Sequence, residues 1–87
     1  MKIKDGFILR SVAGTNIVVA IGKESESFGK MIKLNDSAAF LFRCLASDKS
    51  AQELSQALVT EYDISMELAT KDVENFVSTM KAAGLIV

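Results

Sequence analysis

An α+β domain, with three antiparallel strands followed by three helices, is the fold class the sequence predicts. Three observations carry that expectation. The first third of the chain holds short β-branched and aromatic runs separated by turn residues. Beyond residue 35 the apolar residues recur at helical spacing. Side chains suited to helix capping stand where those periodic segments begin.

The runs "GFILRSV" and "NIVVAIG" read as two strands, and "AGTN" between them supplies the glycine and asparagine of a tight reversal, so the pair is a hairpin. The polar segment "GKESESFG", residues 22–29, links the hairpin to a third strand, which completes a three-stranded antiparallel sheet over residues 7–34. In "KMIKL", residues 30–34, Ile32 and Leu34 fall on one face of an extended chain and Met31 and Lys33 on the other. The period changes at Asn35-Asp36-Ser37, whose side-chain oxygens suit the orphan amides of a helix start. Ala38, Leu41, Phe42 and Leu45 then form the first helix's inner stripe, with Phe40 off it. "ASDKS" is a turn. Ser50 with Glu53 three residues later forms a capping box for a second helix with Leu54, Leu58 and Tyr62 on one side. Ser65 caps a third helix whose stripe is Val73, Phe76, Val77 and Met80, and Gly84 ends it as a left-handed terminator. Residues 85–87 are expected to return to the core, with the helices covering one face of the sheet.

Composition narrows the function. The 87 residues suit a single domain, 1–87; 49% are apolar, 24% charged and none is proline, a balance that suits a folded domain over a disordered tail. No apolar run approaches the roughly 20 residues that cross a membrane, and charge interrupts the N-terminus before a signal-peptide core forms. A cytoplasmic protein without a membrane partner is the expectation. The lone cysteine, Cys44, allows no intramolecular disulfide and reads as a small packed thiol. With no histidine, there is neither a Cys/His pair for nucleophilic catalysis nor a soft-ligand set for zinc. Glu53, Glu61 and Asp63 read as solvated or capping carboxylates, not as an acid/base pair. Neither an enzyme nor a bound metal or cofactor is expected. Charge is uneven: residues 1–34 hold six basic against three acidic side chains, whereas residues 35–87 hold four against eight.

The run "MIKLNDSAAFLFRCLASDKSAQELSQAL", followed by a tyrosine, a helix of the form xDVxxFVxxMxxxGLIV and a glycine-terminated tail, resembles the PqqD family over nearly the whole chain. The residues that carry the likeness are Leu34-Asn35, Ala38, Leu41, Glu53-Leu54, Asp72-Val73, Phe76-Val77, Met80 and Gly84-Leu85. The chain departs from the family at Ala46-Ser47-Asp48, where an Asp-Gly turn is usual, and at Phe42, often tryptophan. The resemblance implies a winged helix-turn-helix-like fold that serves as a RiPP recognition element. Such a domain is a non-catalytic peptide chaperone that binds the leader of a ribosomally made precursor peptide, as in pyrroloquinoline quinone biosynthesis. It presents that leader to a modifying enzyme, commonly a radical SAM maturase. The leader is expected to join the third strand's edge as a further strand, beside the third helix.

The peptide-binding residues this implies are Lys30, Met31, Ile32, Lys33, Leu34, Asp72, Asn75 and Phe76. Each has a plainer reading. Met31 suits a second packing layer as well as a groove floor. Lys30 and Lys33 suit edge charges that block aggregation as well as attraction of an acidic leader. Phe76 is a core residue first, and Asp72 and Asn75 flank its stripe. The rival function is a winged-helix DNA-binding regulator, which needs phosphate-neutralising cations on its last helix. That helix carries Lys71 and Lys81 against Glu67, Asp72 and Glu74, so no nucleic-acid partner is expected. A purely structural subunit of an enzyme complex is the third reading.

Overall fold

The computed structural model of the chain describes residues 1–23 and 31–87. Strands β1 (Phe7–Val12), β2 (Thr15–Ala20) and β3 (Ile32–Leu34) form one antiparallel sheet in the order β1-β2-β3. Helices α1 (Asp36–Cys44), α2 (Ala51–Tyr62) and α3 (Met66–Ala82) follow. The α+β order expected from the sequence is the order found.

The β1–β2 reversal is a two-residue turn at Ala13 and Gly14, both at positive φ, 51° and 78°, which is the geometry that matches strand twist in tight hairpins. Glycine adopts this freely, whereas the alanine does so at a steric cost. Asn16, read from the sequence as a turn residue, lies instead within β2 opposite Leu34, and its amide donates to Asp36 Oδ1 at 3.2 Å. The strand face of Phe7, Val18 and Leu34 is buried against the helices. One core cluster of the described residues joins this face to Leu41 and Leu45 of α1 and its C-terminal end, Leu54 and Leu58 of α2, Val73 and Met80 of α3, and Leu85. Fully burying each such side chain contributes about 1.5–3 kcal/mol.

The caps are as read. Asn35 accepts from the Ala38 amide at 2.9 Å, and Ser65 Oγ accepts from the Leu68 amide at 3.1 Å. The Ser50–Glu53 capping box is complete in both directions. At the end of α3, Gly84 sits at φ +78°; its amide donates to the Lys81 carbonyl and that of Leu85 to the Met80 carbonyl, which is a Schellman closure. The tail then turns back, and Ile86 bridges Ile3 antiparallel.

Three helix faces differ from expectation. In α1 it is Ala39 that is buried, while Ala38 is only half-buried. A short helix that packs against β1, β3, α2 and α3 is enclosed on more than one side, so the single-stripe pattern fails for it. Tyr62, assigned to the inner side of α2, is 41% exposed; its ring meets the half-buried Phe40 edge-to-face at 5.8 Å. Ala69 joins the buried face of α3, and Val77 only borders it. Residues 24–29 of the expected connection lie outside the described residues.

Candidate functional site: the β3 edge and the α3 groove

β3 is an edge strand because the sheet ends with it. The register shows which of its backbone groups are spent. In β1 and β2 the pairs run Val12↔Thr15, Arg10↔Ile17 and Ile8↔Val19, and the Ile21 amide donates to the Gly6 carbonyl at 2.7 Å, one step beyond. Antiparallel ladders alternate hydrogen-bonded and non-bonded pairs, so the even-numbered residues of β2 direct their N–H and C=O groups toward β3. There they meet Leu34 (from Asn16) and Ile32 (from Val18). Lys33, opposite Ile17, therefore turns its own N–H and C=O away from the sheet, toward the open edge.

Beside that edge runs a groove of about 250 Å³, walled by Lys33, Leu34 and Asn35 on one side and by Asp72, Asn75, Phe76 and Thr79 of α3 on the other. Ser37 and Ala38 form its end at the start of α1. Thr79 also lines a second hollow, of about 420 Å³, with Ile32, Ser78, Ala82 and Ala83, so the two are contiguous along the strand. The groove is anchored where β3 meets α1: Asn35 caps the helix, Ser37 Oγ donates to Asn35 Oδ1 at 3.1 Å, and Asn16 ties Asp36 to β2. The abrupt passage from strand to helix thus fixes the edge without using the Lys33 main chain.

The arrangement brings together Lys33, Leu34, Asp72, Asn75 and Phe76, five of the residues expected from the sequence, in one groove. Ile32 lines the adjoining hollow instead. Met31 is 69% exposed and lines neither of the two hollows, so in this structure it is neither a second packing layer nor the floor of the groove. Lys30 lies outside the described residues. Ser37, Ala38, Ser78, Thr79, Ala82 and Ala83 were not anticipated as lining residues. A sequence signal existed for part of this set: Asp72, Asn75, Thr79, Ala82 and Ala83 are spaced as one stripe of a helix, adjoining the buried one.

Among the described residues no group of three or more His, Cys, Asp or Glu is placed to hold a metal ion. Burial raises the Cys44 thiol above its ordinary pKa, which disfavours the thiolate that a nucleophile needs. None of the described helices is long and apolar enough to cross a membrane.

A short sheet with one open edge set against the groove of a following helix defines a winged helix-turn-helix-like domain. The chain belongs to the PqqD family: the family model described as coenzyme PQQ synthesis protein D matches residues 7–86. Two solved structures are similar to it. One, a lasso peptide synthetase B1 complexed with the leader peptide, is 21% identical with a TM-score of 0.75, covering 99% of this chain and 95% of that one. The other, TbiB1 in complex with the TbiA(β) leader peptide, is 18% identical with a TM-score of 0.76, covering 98% and 93%. At these identities the likeness establishes the fold. No curated protein matches the sequence significantly.

Proposed function

We propose that the chain, as one domain of residues 1–87, is a non-catalytic peptide-binding protein of RiPP biosynthesis. It captures the leader of a ribosomally made precursor peptide at β3 and presents it to a modifying enzyme, with a radical SAM maturase as the expected partner and the cytoplasm as the expected compartment. The observation that carries this reading is the outward-facing Lys33 backbone beside the α3 groove. An extended peptide can pair with Lys33 N–H and C=O as a fourth strand, and its alternate side chains then fall toward Leu34, Phe76 and Thr79. Main-chain pairing supplies affinity and the groove supplies selectivity. Both similar structures are complexes with leader peptides, and the family is one of coenzyme synthesis, which support the same reading.

The site in this proposal comprises Lys30, Met31, Ile32, Lys33, Leu34, Asp72, Asn75 and Phe76, extended by Ala38 and Thr79. A DNA-binding role finds no support in the family or in the similar structures. The test is calorimetric titration with the synthetic leader of a short precursor encoded beside this gene, together with amide exchange. Binding with new protection of the Lys33 amide is the expected result. Binding that leaves Lys33 unprotected refutes strand addition at β3.

A further inference from the structure

The sheet has a second open edge, and its surroundings differ from those of the first. β1 ends the sheet on the side away from β3. By the alternation that exposes Lys33, residues Ile8, Arg10 and Val12 bond to β2, so the main-chain groups of Leu9 and Ser11 face outward. Along this edge runs the larger cleft of the molecule's described surface, about 670 Å³ against about 250 Å³ for the groove at Lys33. Its apolar lining includes Phe42 and Leu45, and among the described residues four cations line it, Lys2, Lys4, Arg10 and Arg43, against one carboxylate, Asp5. Among the described residues neither Arg10 nor Arg43 is paired with a carboxylate. The cleft also has a fixed wall. The Ile3 amide donates to the Leu45 carbonyl at 3.1 Å and the Lys4 amide to the Leu85 carbonyl at 2.7 Å, which holds the N-terminal segment against the core, apart from β1.

We propose that the β1 cleft is a second docking surface, for an extended acidic segment of a partner protein, which pairs with Leu9 and Ser11 while its carboxylates meet Arg10 and Arg43. The charge excess selects the partner's sign: in a cleft with four cations, each further cation on the partner is repelled and each carboxylate is attracted. An unpaired edge supplies the backbone half of the recognition. Duplex nucleic acid is the poorer occupant, since a continuous phosphate track needs cations along a helix or face, and α3 carries more acid than base. The inference does not rest on the leader reading, because the two edges lie on opposite sides of β2.

The probe is a synthetic eight-residue peptide of paired glutamates and paired valines, which puts carboxylates on both faces of an extended chain, followed by fluorescence anisotropy and by backbone amide shifts of the intact protein. Binding is expected to move the amides of Leu9, Ser11 and Arg43 and not that of Lys33. It is expected to weaken at least tenfold from low to high salt, and at least tenfold in an Arg10→Ser/Arg43→Gln double variant that melts like the parent. Should that variant fail to fold, the shift map and a lysine-valine peptide, expected to bind at least tenfold more weakly, decide on the unaltered protein. Shifts centred on Lys33, equal binding of the lysine-valine peptide, displacement by a bound leader, or tighter binding of a short DNA duplex would each overturn the proposal. So would no binding of the glutamate-valine peptide at low salt.

Discussion

The two edges of the sheet are made from the same kind of backbone and invite different partners. β3 is three residues long, and among the described residues the groove beside it offers one cation, Lys33, and one carboxylate, Asp72, with hydroxyl, amide and apolar groups. β1 is six residues long and its cleft, among the described residues, holds four cations to one carboxylate. Where charges balance, discrimination must come from shape and hydrogen bonding, which salt barely affects. Where one sign dominates, it comes from the field and fades as the screening length shrinks from ~10 Å at 0.1 M salt toward ~3 Å at 1 M. One strand, β2, serves both, since its alternate residues bond to opposite neighbours.

The largest expected effect removes both edges at once. Leu41, 1% exposed, lies on the inner face of α1, which packs against β1 and β3 together. Leu41→Asp places an unpartnered carboxylate there, at a cost of about 4 kcal/mol or more, which is most of the stability of a domain this size. Circular dichroism is expected to show an unfolded chain at 25 °C; a cooperative melt near that of the parent would mean α1 is not the shared support.

Ala38→Asp should break the comparison on one side alone. Ala38 is half-buried at the end of the groove that Asp72 also lines. It is the third residue of a helix capped by Asn35, a position where a carboxylate is favoured by the helix dipole, so the fold should survive. Two carboxylates would then share one groove. Leader affinity is expected to fall at least tenfold, about 1.4 kcal/mol or more, with the melting temperature little changed. If the variant unfolds, Ala38 is core after all.

Ala38 also shows how far the sequence was legible. The capping signals at Asn35, Ser50 and Ser65, the Gly84 terminator and the strand-to-helix switch are local, set by a few adjacent residues, and each stands where it was read. The reversal expected over Ala13–Asn16 is confined to Ala13-Gly14; asparagine commonly accepts positive φ, yet Asn16 is held in β2 by Asp36, twenty residues on. The choice between Ala38 and Ala39 depends on which neighbours enclose a nine-residue helix, and that is not local. Likewise, Asp72, Asn75 and Phe76 were reached through the family resemblance, whereas the β1 cleft, assembled from residues 2–11, Asn16, and Phe42, Arg43, Leu45 and Ala46, left no single motif. Only the basic bias of the first 34 residues pointed toward it.

Met31→Asp and Lys33→Glu sharpen the contrast in charge dependence. Both side chains are exposed, so both variants should fold. Lys33→Glu reverses the one cation that lines the groove among the described residues and is expected to weaken an acidic leader about threefold at low salt, with the difference gone at high salt. Met31→Asp adds an ionised group just before β3, 69% exposed as the methionine is, and should weaken an acidic leader by less than Lys33→Glu and only at low salt. Calorimetry that finds both variants equal to the parent removes β3 as the docking edge.

The smallest effect belongs to neither edge and calibrates the others. Glu53 closes the α2 capping box: the Ser50 amide donates to Glu53 Oε1 at 2.9 Å, and the Glu53 amide donates to Ser50 Oγ at 3.1 Å. Hydrogen bonds to the carboxylate, from the Ser50 backbone amide first and from the Ser50 side chain second, hold the Glu53 carboxyl below the usual glutamate range. A carboxyl lowered by folding adds stability that is fully present above its unfolded pKa and is lost as pH falls through the folded one. Asp48 has the same sign, since the Met1 amine donates to Oδ1 and holds its carboxyl low as well. Glu53→Gln keeps an oxygen acceptor but loses the charge, so its melting temperature should lie slightly below the parent's at neutral pH and converge with it in acid. Glu53 lines the hollow beside Phe40 and neither cleft, so the variant's affinity for a leader should equal the parent's at neutral pH. A gap in melting temperature that widens in acid would contradict the capping account. A change in leader affinity without a change in fold would mean that the β3 groove senses α2, and that the two edges are not the independent surfaces argued for above.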